Sequence, residues 1–208
     1  MSSENTPTTS KPREYFDELY ARRDDPWSLR TRWYESRKRA ITVASLPRER
    51  YASALEIGCS TGELTALLAT RCDSLLAIDI SSAAVVQASE RTSALPQVRV
   101  ELQDATVRFP HGRFDLVVLS EVGYYWDEPT LRNVIAQITG HLTDDATVLV
   151  CHWRHPVDDY PLGGDETHDI IRDSIGLHRI GIHDETDFLI EVYTTDARSV
   201  ADIEGLLG

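Results

Sequence analysis

The chain has 208 residues, 41% hydrophobic and 26% charged, the make-up of one soluble globular domain able to bury a sizeable core. Its 21 basic and 34 acidic side chains give a net charge of −13, which disfavours bulk affinity for nucleic acid or an anionic membrane and suits a neutral or cationic polar substrate. No run approaches the roughly 18 apolar residues of a membrane span, and the N-terminal residues show no apolar targeting stretch, so a cytoplasmic protein is expected. Cys59, Cys72 and Cys151 have no Cys-x-x-Cys spacing, so reduced thiols are expected rather than a disulfide framework or a zinc site.

Residues 1–12 are rich in Ser, Thr and Pro and are expected to be a disordered leader. Tyr15, Phe16, Leu19 and Tyr20 recur at helical spacing and predict a helix over Arg13–Arg22, broken by Asp25-Pro26. A second helix is predicted over 31–45 and ends before Pro47. From Tyr51 onward short apolar runs, at 54–57, 74–80, 98–102, 114–119 and 147–150, alternate with other segments. Three of these, 63–71, 82–93 and 128–142, have helical periodicity. Nearly continuous apolar strands between helices mean a parallel sheet covered on both faces. Beyond Pro156 a helix is predicted over 166–174, then strands over 177–182 and 188–194, whose short joining turn favours an antiparallel pair. The prediction is a doubly wound α/β fold with a seven-stranded sheet, the last strand antiparallel. One domain spans 13–195, with helices 13–46 as a lid and 196–208 as a tail.

The strongest constellation is Glu56-Ile57-Gly58-Cys59-Ser60-Thr61-Gly62, at the end of the first strand and the opening of a helix. Glycines there let a ligand approach the backbone, and the helix offers unpaired N–H groups. Asp79 ends the next strand, where a carboxylate can accept both hydroxyls of a ribose, and Asp104 follows the third strand. A dinucleotide fold needs G-x-G-x-x-G, but Ser60 stands at the second glycine position and Leu64 near the third. Glu56 would repel a pyrophosphate yet suit an ammonium. Those features favour S-adenosylmethionine over NAD.

The segment from about Tyr51 to Cys151 resembles a class I S-adenosylmethionine-dependent methyltransferase. The finer resemblance, over 15–193, is to the nodulation-protein-S-like family of N-methyltransferases. It is carried by Asp25-Pro26-Trp27, Trp33-Tyr34-Glu35-Ser36-Arg37-Lys38, the glycine loop, Leu119-Ser120-Glu121-Val122-Gly123-Tyr124-Tyr125, His152-Trp153-Arg154-His155-Pro156 and Asp187-Phe188-Leu189-Ile190. The resemblance implies a Rossmann-like methyltransferase fold and methyl transfer to the free amino group of a sugar. The namesake enzymes act on the deacetylated terminal glucosamine of chitooligosaccharides. Ser60 departs from the usual middle glycine.

Roles follow from strand-end position and motif match. Glu56 is expected to accept the methionine ammonium, Gly58 and Gly62 to line the methionyl chain, and Ser120 to meet it at the tip of the fourth strand. Asp79 is assigned to the ribose, Asp104 with Ala105 to the adenine edge, and Ile80 to the cofactor site. Trp27 is expected to cover the cofactor and Arg37 to pair with its carboxylate. Glu121 is the first choice to hold or deprotonate the acceptor, with His152 second, expected to face the crevice. Tyr124, Tyr125, Trp153 and His155 are assigned to the acceptor. His168, His178 and His183 are read as surface residues, and no metal is expected. The short loops predict a fairly open site for a small-molecule acceptor. Three other readings stay open: a sugar-hydroxyl O-methyltransferase, an NAD-binding oxidoreductase and a non-catalytic nucleoside-binding module.

Overall fold

The computed structural model describes residues 9–207. Helices α1 (Arg13–Arg22) and α2 (Trp33–Ala44) precede β1 (Ala54–Ile57), α3 (Glu63–Leu68), β2 (Leu75–Asp79), α4 (Ser82–Thr92) and β3 (Val98–Leu102). Then come β4 (Phe114–Ser120), α5 (Glu128–Gly140), β5 (Leu142–Trp153), α6 (Gly164–Ser174), β6 (His178–Asp184), β7 (Phe188–Thr194) and the single-turn α7 (Val200–Ile203). The sheet has seven strands in the order β3-β2-β1-β4-β5-β7-β6. β1 pairs in parallel with both β2 and β4, so the chain reverses direction of travel between them. β7 inserts antiparallel between β5 and β6. No helix among the described residues is long and apolar enough to cross a membrane.

Alternation along the strands divides the core. Leu55, Ile57, Val117, Leu119, Val148 and Val150 face α5 and α6, where they meet Leu131, Ile135, Ile138 and Ile171. Ala54, Leu116, Val118 and Leu149 face the opposite way, against Leu64 and Leu68 of α3. This two-faced burial explains why the central strands are apolar throughout. The three cysteines are buried and unpaired.

Several boundaries differ from the sequence reading. β5 begins at Leu142, because the polar Thr143, Asp144 and Asp145 stand on its outer end. α7 adds a helical turn to the tail. Residues 1–8 of the expected leader lie outside the described residues, but Ser10 and Lys11 are tied down. The Lys11 N–H donates to the Tyr125 carbonyl at 2.8 Å, and the Asp127 N–H donates to the Ser10 hydroxyl at 2.9 Å.

Gly62 caps α3 with φ of +78°, and a Cβ there would lie 2.9 Å from the Cα of Ala88 on α4. Left-handed strain and a backbone clash act together, so Gly62→Ala is expected to lose about 2–4 kcal/mol in urea unfolding.

Candidate active site

The carboxyl ends of β1, β2, β3 and β4 open onto a crevice of about 340 Å³, where doubly wound sheets place ligands. α1, α2 and the segment between them roof it. Of the residues assigned from the sequence, Trp27, Gly58, Asp79, Ile80, Asp104, Ala105, Ser120, Glu121, Tyr124, Tyr125 and Trp153 line it.

On one side, backbone donors aim the acids. Asp79 accepts the Ser60 N–H at 2.8 Å and the Ser81 N–H at 2.9 Å. Burial raises its pKa, and these N–H groups oppose the rise. Asp104 accepts from the Thr106 amide at 2.8 Å and the Thr106 hydroxyl at 2.6 Å. Ser60 holds φ of +48°, and its hydroxyl lies 2.6 Å from that of Tyr20 on α1. The serine in place of the middle glycine thus joins the loop to the lid. Asp17 of α1 also accepts from the Ser81 hydroxyl at 3.3 Å, so the crevice is less open than the short loops suggest.

The other side is aromatic and ionic. Tyr124 stacks on Tyr160 with centroids 5.0 Å apart, and Tyr34 meets Trp153 edge-on at 5.4 Å. Glu121 stands just past β4 with φ of +58°. Its Oε2 accepts from the Tyr124 hydroxyl at 2.5 Å and the Trp153 N–H at 3.1 Å. Its Oε1 accepts from the Lys38 ammonium at 2.8 Å, and Lys38 also donates to Glu35 at 3.2 Å. Burial alone would lower the Lys38 pKa, but Glu121 and Glu35 together hold it above the usual lysine range. Burial also raises the Glu35 carboxyl, an effect Lys38 opposes.

Five assigned residues do not line the crevice. Arg37 points away and clasps Glu185 with two bonds, of 2.7 and 2.8 Å, because it lies on a different face of α2 from Lys38. Glu56 is buried within β1, behind the loop, and its Oε2 has no hydrogen-bond partner among the described residues. Burial, with Asp79 nearby, pushes its carboxyl up to about 8. Gly62 opens α3 behind the loop. His155 is exposed and pairs with Asp187 at 2.8 Å. His152 is wholly buried on β5 and faces α6 rather than the crevice. Burial, then His168 and Lys38, lower its pKa well below the usual imidazole value. His168, read as a surface residue, is wholly buried beside it.

The sequence reading missed Lys38, Glu35, Tyr34, Tyr20, Tyr160 and Arg32, all of which line the crevice. Tyr34, Glu35 and Lys38 are spaced i, i+1 and i+4, which puts them on one helix face, and that spacing was a usable signal. Among the described residues no group of three or more His, Cys, Asp or Glu is arranged to hold a metal ion.

Sheet order and a crevice with acids at the ends of β2 and β3 define a class I S-adenosylmethionine-dependent methyltransferase fold. The family model for nodulation protein S (NodS) matches residues 15–159, and the chain belongs to that family. Nodulation protein S of Bradyrhizobium diazoefficiens is 31% identical over 128 residues, and the match spans 61% of each chain. A solved Pseudomonas syringae protein, provisionally classed as a methyltransferase, is 40% identical with a TM-score of 0.67 and covers 78% of this chain and 99% of its own. The N-methyltransferase NodS of Bradyrhizobium japonicum WM9, solved with S-adenosyl-L-homocysteine, shares the fold at 23% identity and a TM-score of 0.78, over 88% of this chain and 98% of its own.

The buried Lys38 ammonium and the buried Glu56 carboxyl each bear on stability. Lys38→Met leaves Glu35 and Glu121 facing each other without their cation, and is expected to lose about 3–5 kcal/mol in urea unfolding. Glu56 binds its proton more tightly folded than unfolded. Its contribution is therefore complete below its ordinary 4.5 and is lost as pH rises toward 8. Over that range this group alone should lower wild-type stability by up to about 1.4 kcal/mol per pH unit, opposed below about pH 7.5 by protonation of His152 in the unfolded chain. Glu56→Gln should flatten that slope.

Proposed function

We propose that the chain is an S-adenosylmethionine-dependent N-methyltransferase acting on the amino group of an amino sugar or a similar small polar amine. The observation that carries this reading is the extent of the family match. Residues 15–159 include the lid helices, the glycine loop and the turn bearing Glu121, not the sheet alone. The Bradyrhizobium japonicum relative is an N-methyltransferase.

The crevice fits the cofactor. Asp79 stands where ribose hydroxyls need an acceptor, and Asp104 with Ala105 borders the position for an adenine. Trp27 and Tyr20 meet edge-on at 5.8 Å and cover that end. Arg91 reaches the loop but donates to the Thr61 carbonyl at 3.0 Å, pairs with Glu63 and does not line the crevice, and Ser60 replaces the second glycine that a pyrophosphate loop needs, which argues against NAD. Arg32, not Arg37, lines the crevice and takes the role of meeting the methionine carboxylate. When bound, the cofactor supplies an electrophilic methyl group on a sulfonium.

The protein then has to align a nitrogen lone pair with that methyl group, and alignment supplies most of the acceleration. Three strong donors already converge on Glu121, Lys38, the Tyr124 hydroxyl and the Trp153 N–H, and the Cys151 thiol reaches its Oε1 weakly at 4.0 Å. A carboxylate has about four lone-pair positions, and the weak thiol contact is the one an acceptor N–H displaces. Glu121 therefore holds the amine by hydrogen bonding and leaves its lone pair free. The acceptor ammonium gives its proton to solvent before it is aligned. Tyr124, Tyr160 and Trp153 offer flat apolar surface to a sugar ring.

S-Adenosylhomocysteine at one hundred times its Kd is expected to stabilise the fold by about 2.7 kcal/mol, raising Tm by roughly 5–10 °C, with no rise from NAD. A rise with NAD alone removes the cofactor assignment. Labelled methyl from S-adenosylmethionine should then enter glucosamine oligomers and not their N-acetylated forms. Equal labelling of both moves the acceptor atom to a hydroxyl.

A further inference from the structure

Behind the crevice wall runs a chain of buried hydrogen bonds. The Gly123 N–H donates to His152 Nε2 at 3.1 Å. His152 Nδ1 lies 3.2 Å from His168 Nε2, and His168 Nδ1 lies 2.7 Å from Glu191 Oε2. All three side chains have no solvent exposure. At the far end, Arg172 and Arg179 donate to Glu191 Oε1, and the Tyr193 hydroxyl donates to Oε2 at 2.9 Å.

The chemistry fixes the direction of every bond. A backbone amide only donates, so Nε2 of His152 must be unprotonated. A neutral His152 then carries its hydrogen on Nδ1 and donates to His168. His168 in turn must be bare at Nε2 and protonated at Nδ1, which donates to the carboxylate. Burial alone would push Glu191 up, but His168 and Arg179 hold it down to about 2, so it stays an acceptor. The chain cannot deliver a proton to the acceptor, because it ends at an amide. Its effect is mechanical.

That effect falls on the turn bearing Glu121. Gly123 sits two residues after Glu121, and a Cβ at Gly123 would lie 2.8 Å from His152 Nε2, so only glycine permits the close approach. Glu121 holds a left-handed backbone, and its own N–H donates to the Cys151 carbonyl, next to His152, at 2.8 Å. β5 thus grips the turn at two adjacent residues, and α6 and β7 grip β5 through the rings. His168 and Glu191 lie outside the residues that the family match covers.

We infer that Glu191, His168 and His152 are positioning residues that fix the 121–125 turn and thereby aim the Glu121 carboxylate at the acceptor. This rests on Glu121 being the group that holds the amine. An imidazolium at His152 would turn an N–H against the Gly123 N–H and break the chain. The charged and titratable groups around the rings are Tyr124, whose ring lies 5.3 Å from that of His152, Lys38 of α2 and Glu191 of β7, with Arg172 of α6, Arg179 of β6 and Tyr193 of β7 bonded in turn to Glu191.

The test uses the full chain with ¹⁵N-labelled histidine. Both rings should be neutral Nδ1–H tautomers at pH 7.5, and the Gly123 amide should be protected from exchange. His168→Phe should remove that protection and lower kcat for glucosamine oligomers about 10- to 100-fold, with S-adenosylhomocysteine affinity within about twofold. Glu191→Gln, which keeps an oxygen for His168, should restore protection and most of kcat. Nε2–H tautomers, or Gly123 protection unchanged in a folded His168→Phe, overturn the inference. If His168→Phe does not fold, acidification of the wild type decides. Gly123 protection should vanish as the His152 ring protonates, and protection that persists overturns the inference. The tautomer and exchange readouts need no acceptor, so wild-type failure to methylate glucosamine would count against the acceptor assignment alone.

Discussion

The buried ammonium of Lys38 is the bond on which the crevice depends. It joins α2, in the N-terminal lid, to a carboxylate 83 residues later at the tip of β4. Removing an ammonium and two carboxylates from water is costly, and the attraction between them has to offset that cost through good geometry. The geometry here is close: 2.8 Å to Glu121 and 3.2 Å to Glu35, with the Tyr34 ring 5.0 Å away. Breaking the contact costs far more than forming it contributes, and this asymmetry makes it a latch. Without it α2 keeps the Arg37–Glu185 clasp but loses its tie to the tip of β4, beside the aromatic wall that Tyr34 shares with Trp153.

The two sides of the crevice follow one rule. Each acid is aimed by groups that cannot move far: Asp79 by backbone amides of its neighbouring loops, Glu121 by a lysine, a tyrosine and a strand amide. A displacement at a sulfonium methyl group needs alignment more than proton transfer, so rigid acceptors suit it. Glu56 shows the contrast. It is one strand away from Asp79, yet no backbone amide reaches its Oε2, and burial keeps it protonated near neutral pH. A carboxyl is held as an acceptor by backbone amides in one place and stands as a buried neutral filler in the other.

The sheet was legible because burial on both faces writes itself into the strands as unbroken apolar runs. That Gly58, Asp79 and Asp104 meet at the crevice was legible for a similar reason: glycine loop and strand-end acids are local features with fixed spacing. The ionic and aromatic side was not. Lys38 reads as one more charge on a helix until β4 brings Glu121 against it. His152 sits at a strand end, where a crevice-facing side chain is expected, but strand alternation turns it toward α6. His168 did carry a signal. Gly164, Thr167, His168 and Ile171 fall at i, i+3, i+4 and i+7, and all four are buried. The histidine lies in the apolar stripe of α6 and belongs to the core by position.

The left-handed backbone of Glu121 ties these features together. A non-glycine residue there costs roughly 1–2 kcal/mol, and glycine would relieve it. Glycine would also remove the carboxylate, which accepts three close hydrogen bonds from N–H and O–H donors, each worth about 1.5–3 kcal/mol because the acceptor is charged. The strain is therefore smaller than the bonding it permits. Such strain persists only where the surroundings over-determine it, and here four contacts do so: Lys38 before the turn, Tyr124 within it, and the Cys151 carbonyl and Trp153 amide from β5 after it. A relaxed turn would let the side chain swing among rotamers. A strained turn held from three directions leaves it one direction to point, into the crevice.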